Sequence, residues 1–224
     1  MTSFPAIPEP NASPDVALSP AWGSPARLAL KRMIDVLGAT ILLISLSPLF
    51  LILAVVVKLS SPGPIFYRWM VVGRSGMPFL SHKFRSMVSN ADDLKAKLEG
   101  LNEMTGPVFK VTKDPRITPA GSWMRRYSLD ELPQLFSVLK GDMSLVGPRP
   151  PLQSEYRHFT DFQKRKVAVK PGITCLWQVS GRNQVNDFDQ WVRLDLEYIR
   201  RWSLWLDTKI LCRTVAAVFS GSGK

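Results

Sequence analysis

Adjacent carboxylates at an expected helix start, framed by arginines, occur in the stretch Ser128-Leu129-Asp130-Glu131-Leu132-Pro133-Gln134. Arg125 and Arg126 stand just ahead of it and Gly147-Pro148-Arg149-Pro150 follows. Carboxylates bind hard cations and arginine forks bind phosphoryl oxygens, so the combination suits a nucleophile and a metal ligand working on phosphates. Neighbouring side chains on a helix diverge by about 100°, which leaves the two carboxylates to divide two jobs rather than close on one atom. The free N–H groups of a helix start favour anions, either a phosphate or the carboxylates themselves. Taken alone, Ser128 followed by Glu131 is a capping-box pattern, and the acidic pair would only neutralise the helix dipole.

Other residues with chemical capacity lie on both sides. Lys83 and Arg85 stand two apart on an expected strand, as a solvated edge or as part of a phosphate site. Prolines on either side of Arg149 restrict its backbone and leave less entropy to lose on binding. His82 and His158 stand alone, and Cys175 and Cys212 match no zinc spacing, which points to reduced, structural thiols. The chain has no Walker loop, dinucleotide fingerprint or Ser-His-Asp ordering.

Several elements must position these groups. Leu132, Leu135, Phe136 and Leu139 form one apolar face that stops at Gly141, so a short helix begins at the acidic pair and Pro133 bends its first turn. Ile65 to Val72 and Pro78 to Phe84 read as strands joined by the hairpin signal Gly73-Arg74-Ser75-Gly76. A polar surface helix is expected over 89 to 104, with pairs from Asp92 or Asp93 to Lys97. A short helix is expected within Ile117 to Tyr127 and a strand over Met143 to Val146. A further strand with Trp177 falls between Lys170-Pro171-Gly172-Ile173-Thr174 and Ser180-Gly181-Arg182-Asn183. Helices are expected from Phe188 to Arg201 and from Ser203 to Phe219. The second carries Trp205, Lys209 and Arg213, which suit either a lipid headgroup layer or an ordinary soluble helix.

Near the start, Ala39 to Val57 is uninterrupted by charge and as a helix reaches about 28 Å, nearly the hydrocarbon thickness of a bilayer. Ser47-Pro48 in its middle breaks the hydrogen-bond ladder, cations flank both ends, and Asp35 is costly at depth. A helix that enters, bends at Pro48 and returns to the same face fits all three features; a plain spanning helix with an internal proline stays open. The resulting organisation has a disordered tail over residues 1–26, a re-entrant membrane helix over 27–60 and a compact cytosolic catalytic domain over 61–224. Its fold class is α+β, predominantly helical, with a small β-hairpin or sheet and interfacial helices. A formal net charge of +11 calls for anionic company, whether nucleic acid, an acidic membrane surface or phosphorylated substrates.

Further motifs complete the pattern: Lys31-Arg32 with Asp35, Ser61-Pro62-Gly63-Pro64, Lys83-Phe84-Arg85-Ser86-Met87, Asp114-Pro115-Arg116-Ile117-Thr118, Gly141-Asp142-Met143-Ser144-Leu145-Val146 and Trp202-Ser203-Leu204-Trp205-Leu206-Asp207. With the acidic stretch and Gly147-Pro148-Arg149-Pro150, they make the chain resemble the bacterial sugar transferase family from about Ala26 onward. These are monotopic polyprenyl-phosphate sugar-1-phosphate transferases, and the resemblance is to their minimal, single-domain form.

The resemblance implies an enzyme of the bacterial inner membrane with its catalytic domain on the cytoplasmic face. It would move a sugar 1-phosphate from a UDP-sugar to undecaprenyl phosphate and release UMP, the first membrane step of polysaccharide or glycoconjugate synthesis. Carried over, Asp130 is the nucleophile that forms a covalent aspartyl intermediate and Glu131 the Mg²⁺ ligand. Lys83, Arg125, Arg149 and Arg182 match phosphate-binding or active-site positions, with Arg85 beside them, and Ser47-Pro48 matches the re-entrant break. The implied partners are the UDP-sugar, undecaprenyl phosphate and membrane lipids, without nucleic acid; a homodimer is compatible with this reading. Cys175-Leu176 departs mildly from the family pattern after the Gly172-Ile173-Thr174 turn. Two rivals stand beside this reading: a membrane-tethered basic module without activity, and a UDP-sugar phosphohydrolase.

Overall fold

A computed structural model describes residues 24–180 and 185–221. The chain opens with two helices, Pro25–Ser45 (α1) and Ser47–Ser60 (α2), followed by strands Phe66–Val72 (β1) and Pro78–Phe84 (β2). Helices Ala91–Lys95 (α3) and Pro119–Arg126 (α4), a 3₁₀ turn over Leu129–Gln134 and helix Leu135–Lys140 (α5) come next. Strand Ser144–Val146 (β3), helices Gln153–Tyr156 (α6) and Asp161–Lys164 (α7), strand Gly172–Thr174 (β4) and helix Leu176–Val179 (α8) lead to two long helices, Phe188–Arg201 (α9) and Leu204–Ser220 (α10). The architecture is mostly helical with two small two-stranded sheets, an α+β arrangement.

Helices α1 and α2 meet at 63°. Pro48 has no N–H to give the carbonyl of Ile44, and Ser47 Oγ donates to that oxygen instead at 2.8 Å. The proline therefore accounts for the bend, and the serine for the absence of an orphaned acceptor beside it. Among the described residues no single helix is long and apolar enough to cross a membrane, whereas the bent pair together has that length and composition. Leu37, Ile41, Ile44, Leu51, Ile52, Val55 and Leu59 are exposed along its outer side.

The inner side of the pair is docked on the rest of the chain. Leu53 and Val57 of α2 are buried with Phe84 and Met124, each contributing about 1.5–3 kcal/mol by removal from water. Polar residues of α1 enter the protein interior as well. Asp35 Oδ1 accepts from Ser144 Oγ at 3.0 Å and from the Leu145 N–H at 2.9 Å. Lys31 Nζ donates to Asp207 at 2.6 Å and to the Val146 carbonyl at 3.1 Å, while Tyr198 and Trp202 also donate to Asp207. Arg32 donates to the carbonyls of Val138 and Leu139 at the end of α5, where a cation complements the helix dipole.

The main core gathers Val138, Met143, Leu176, Trp177, Trp191, Val192, Tyr198, Ile199 and Ile210. Trp177 and Trp191 stack at 4.1 Å and 13°, and Lys166 and Asp195 pair inside this core at 2.7 Å. Strands β3 and β4 run parallel, Ser144 opposite Gly172 and Val146 opposite Thr174. A Cβ on Gly172 would stand 2.0 Å from the Gly147 nitrogen, so only glycine lets the two backbones cross here. The hairpin β1–β2 is antiparallel, with Tyr67 opposite Lys83 and Trp69 opposite Ser81.

The structure corrects several local expectations. The helix expected over 89–104 is only α3 followed by a 3₁₀ turn over Ala96–Leu101; a segment polar on all sides has no apolar stripe to pack and sustain it. Asp92 accepts from Tyr67 rather than pairing with Lys97. Trp177 lies in α8, and the strand is the three residues Gly172–Thr174 before it. Ser128 does not cap: it takes a left-handed conformation (φ 54) and makes no side-chain cap bond. Of the expected tail, residues 1–23 lie outside the described residues, and α1 already begins at Pro25.

Candidate active site

Asp130 sits in the 3₁₀ turn between α4 and α5 with 6% of its surface exposed, and β2 lies against that turn. Burial pushes its carboxyl above the usual carboxylate range. The Glu131 charge acts the same way, and Lys83, Arg125 and Arg149 pull against both. Held out of water, the ionised group has fewer solvating hydrogen bonds to give up before it can attack.

Glu131 shares the turn with Asp130, whereas Lys83, Arg125 and Arg149 come to it from separate parts of the chain. Glu131 Oε1 accepts from Arg149 Nη1 at 2.9 Å and its Oε2 from Gln178 Nε2 at 3.4 Å. Arg149 is aimed there by the tight crossing of β3 and β4 just before it, and 35% of its side chain stays exposed, open to an anionic ligand. The Glu131 charge raises the Arg149 guanidinium further above its already high value. Arg125, in the last turn of α4, donates from Nε to Ser86 Oγ at 2.8 Å. The half-buried Lys83 of β2 lies with Nζ 4.8 Å from the Trp69 ring centroid and 5.5 Å from that of Tyr67. Its amine is pushed down to about 8 by burial and by Arg125, with Asp130 and Glu131 opposing. Three cations thus face two carboxylates, a balance that attracts a further anion.

The donor set also fits a magnesium ion. Among the described residues no group of three or more His, Cys, Asp or Glu side chains could hold a metal by itself. Mg²⁺ is commonly bound by one or two carboxylates together with substrate phosphates and water, and Glu131 is an oxygen donor of that kind.

A sequence profile for bacterial sugar transferases matches residues 26–221. The chain belongs to that family. The chain is 46% identical over 198 residues to the galactosyl transferase CpsE of Streptococcus agalactiae, covering 88% of this chain and 44% of the relative. It is 44% identical to the undecaprenyl-phosphate galactose phosphotransferase of Salmonella typhimurium, over 87% of this chain and 41% of that one. It is also 39% identical to the UDP-glucose:undecaprenyl-phosphate glucose-1-phosphate transferase of Escherichia coli, over 93% of this chain and 44% of the relative. The chain therefore spans less than half the length of these relatives.

Of the residues singled out in the sequence, the structure of this family member brings Lys83, Arg125, Asp130, Glu131 and Arg149 together. It does not bring Arg85. Strand β2 ends at Phe84, and the Arg85 guanidinium turns to the carbonyls of Val57, Ser61 and Pro62, fastening the exit of α2 to the hairpin. Arg182 lies outside the described residues. Ser47 and Pro48 form the bend and are remote from the acidic turn in role. Sequence reasoning missed Gln178, whose segment reads as part of a strand, and the pair Tyr67 and Trp69 beneath Lys83. Ser86 is visible inside the Lys83-Phe84-Arg85-Ser86-Met87 motif, but nothing local marks it as the partner of Arg125.

Proposed function

We propose that the chain transfers a sugar 1-phosphate from a UDP-sugar to undecaprenyl phosphate, releasing UMP and forming a polyprenyl-diphosphate sugar. One observation carries the reading: the buried Asp130 carboxylate is surrounded by Lys83, Arg125 and Arg149 beside a Glu131 that Arg149 already holds. A carboxylate nucleophile and a diphosphate repel one another unless cations stand around them. The names of the Salmonella and Escherichia relatives support the lipid acceptor and the sugar phosphate cargo.

In the first half-reaction an oxygen of ionised Asp130 attacks the sugar-bearing phosphorus. The new O–P bond forms as the bond to the bridging oxygen of UMP breaks, and UMP leaves with the electron pair. In the second, an oxygen of undecaprenyl phosphate attacks the same phosphorus and Asp130 returns as a carboxylate. Arg125 and Arg149 donate N–H bonds to phosphoryl oxygens, and Lys83 adds the third positive charge. Glu131 would hold Mg²⁺, and when bound the ion would supply positive charge that neutralises the leaving group.

The acceptor is a lipid, so the site must meet a membrane. We read α1 and α2 as a re-entrant pair seated in the cytoplasmic leaflet of the bacterial inner membrane. The 63° bend and the apolar outer side support this, as does the docking of Lys31, Arg32 and Asp35 onto protein instead of lipid. Exposed Trp123, Trp205 and Phe219, with Lys209 over Trp205, suit the headgroup layer.

The test is a UMP-release panel with UDP-glucose, UDP-galactose and UDP-N-acetylglucosamine, each with and without undecaprenyl phosphate. The expected result is sustained release only with the lipid, and without it a burst limited to the amount of enzyme. Sustained release without lipid would make the protein a phosphohydrolase, and no release from any donor would leave a binding module.

A further inference from the structure

Lys83 differs from the other cations around Asp130 in what holds it. Arg149 pairs with Glu131 and Arg125 donates to Ser86, whereas among the described residues Lys83 makes no hydrogen bond or ion pair with a carboxylate. It rests on aromatic rings. The hairpin register sets Tyr67 opposite Lys83 and Trp69 opposite Ser81, and the two-residue period of a strand places all four on one face. The Tyr67 and Trp69 rings stack at 5.9 Å and 22°, and the Lys83 nitrogen lies over both, nearer Trp69. The stack is itself tethered, because the Tyr67 hydroxyl donates to the Asp92 carboxylate at 3.1 Å.

An indole face attracts an ammonium through its quadrupole and uses none of its N–H donors. A carboxylate partner would occupy at least one of the three. We propose that Trp69, backed by Tyr67, is a positioning residue of the transfer reaction: its ring holds Lys83 charged beside Asp130 with N–H donors left for the phosphoryl oxygens of the substrate. The kinetic half of this proposal rests on the transferase reading above; the hold on Lys83 does not.

The charge at Lys83 is finely balanced. Burial and the cations Arg125 and Arg149 push the amine down to about 8, while Asp130 and Glu131 pull the other way. The Tyr67 hydroxyl is pushed up to about 12 by burial and by Asp92, so it remains a neutral ring in this range. Replacing Trp69 with leucine keeps the apolar cover and removes the π face. The ammonium then loses a stabilising contact and deprotonates at lower pH; phenylalanine, with a weaker face, falls between.

Competitive acylation of Lys83 with acetic anhydride, followed by mass spectrometry of its peptide across the neutral to alkaline range, titrates this amine without any turnover. The full chain is used in lipid nanodiscs, and UMP release is measured over the same range. The expected order of titration is wild type highest, then Trp69→Phe, then Trp69→Leu. At neutral pH UMP release by the leucine variant falls about two- to fourfold, and the deficit narrows on mild acidification, which restores the ammonium. A leucine variant that titrates with the wild type overturns the proposal. So does an equal loss in both variants without a change in titration, which is the signature of packing alone. If the leucine variant fails to fold by circular dichroism, Trp69→Phe carries the test through a smaller displacement in the same direction, and no displacement overturns it. If the amine titrates in the expected order but the wild type releases no UMP, the transferase reading falls and the hold on Lys83 stands.

Discussion

Arg149 Nη1 donates to Glu131 Oε1 at 2.9 Å across 18 positions of sequence, and this bond joins the strand side of the site to the acidic turn. Arg149→Lys keeps the charge and loses the planar fork that can hold Glu131 and a phosphoryl oxygen together. The expected loss in UMP release is on the order of 100-fold in kcat/KM. Near wild-type kinetics in the lysine variant would mean that Arg149 acts only as a point charge.

Asp130→Asn removes the nucleophile, so it should abolish both overall transfer and the burst of UMP seen without acceptor. Incubation of the wild type with labelled UDP-sugar alone should leave sugar phosphate on the peptide that contains Asp130. Label on Glu131 instead would exchange the two roles, and a requirement for both substrates before any UMP appears would favour direct attack by the lipid phosphate.

The same substitution should stabilise the fold. Because the folded-state value of Asp130 lies above its ordinary one, the folded chain binds this proton more tightly than the unfolded chain does. The benefit is full below the ordinary carboxylate value and is lost as pH rises through the folded value, so at neutral pH the ionised group is a burden. The Asp130→Asn variant carries no such burden, and its thermal unfolding at neutral pH should shift upward relative to wild type. At a pH below the ordinary aspartate value the difference should vanish. An unchanged or lower unfolding temperature at neutral pH would contradict the burial argument.

The pH dependence of the burst follows from the same shift. Attack needs the ionised carboxylate, so the rate of the first UMP release should fall on acidification, with its midpoint above the ordinary aspartate range. Rapid-quench measurement of the burst over a pH series checks this. A midpoint at or below the ordinary range would show that the three cations outweigh burial.

The bend at Ser47-Pro48 carries a topological prediction. In a chain whose exposed Cys212 has been changed to Ser, single cysteines at Ser24 and at Ser220 should show the same reactivity toward an impermeant thiol reagent in intact cells. Labelling of one and protection of the other would mean a spanning helix. Ser47→Ala should remove the bond from Ser47 Oγ to the Ile44 carbonyl and cost about 0.5–1.5 kcal/mol, read as a lower unfolding temperature in nanodiscs.

What the sequence determined by itself was the set of features whose causes lie within a few residues. Pro48 bends α1 against α2 because it lacks a donor, and Gly141 stops α5 in the left-handed conformation (φ 96). The strand-forming segments Phe66–Val72 and Pro78–Phe84 on either side of Gly73-Arg74-Ser75-Gly76 made the hairpin legible, and Phe188–Arg201 read as the helix α9. The cluster of charges around Asp130 and Glu131 was legible as chemistry for the same reason, since residue types declare what they can bind. Their partners are not declared, because a guanidinium carries the same five donors wherever it points. Only the tertiary structure decided that Arg85 would secure the exit of α2 while Arg149 paired with Glu131 and Lys83 settled over Tyr67 and Trp69, and that Glu131 would meet Gln178. The parallel pairing of β3 with β4, which aims Arg149, joins segments too short to show a pattern of their own and depends on two glycines brought together from distant parts of the chain. Asp35, marked in the sequence as costly in lipid, is relieved by a strand more than a hundred residues away, because a buried carboxylate is stable only where long-range packing supplies its donors.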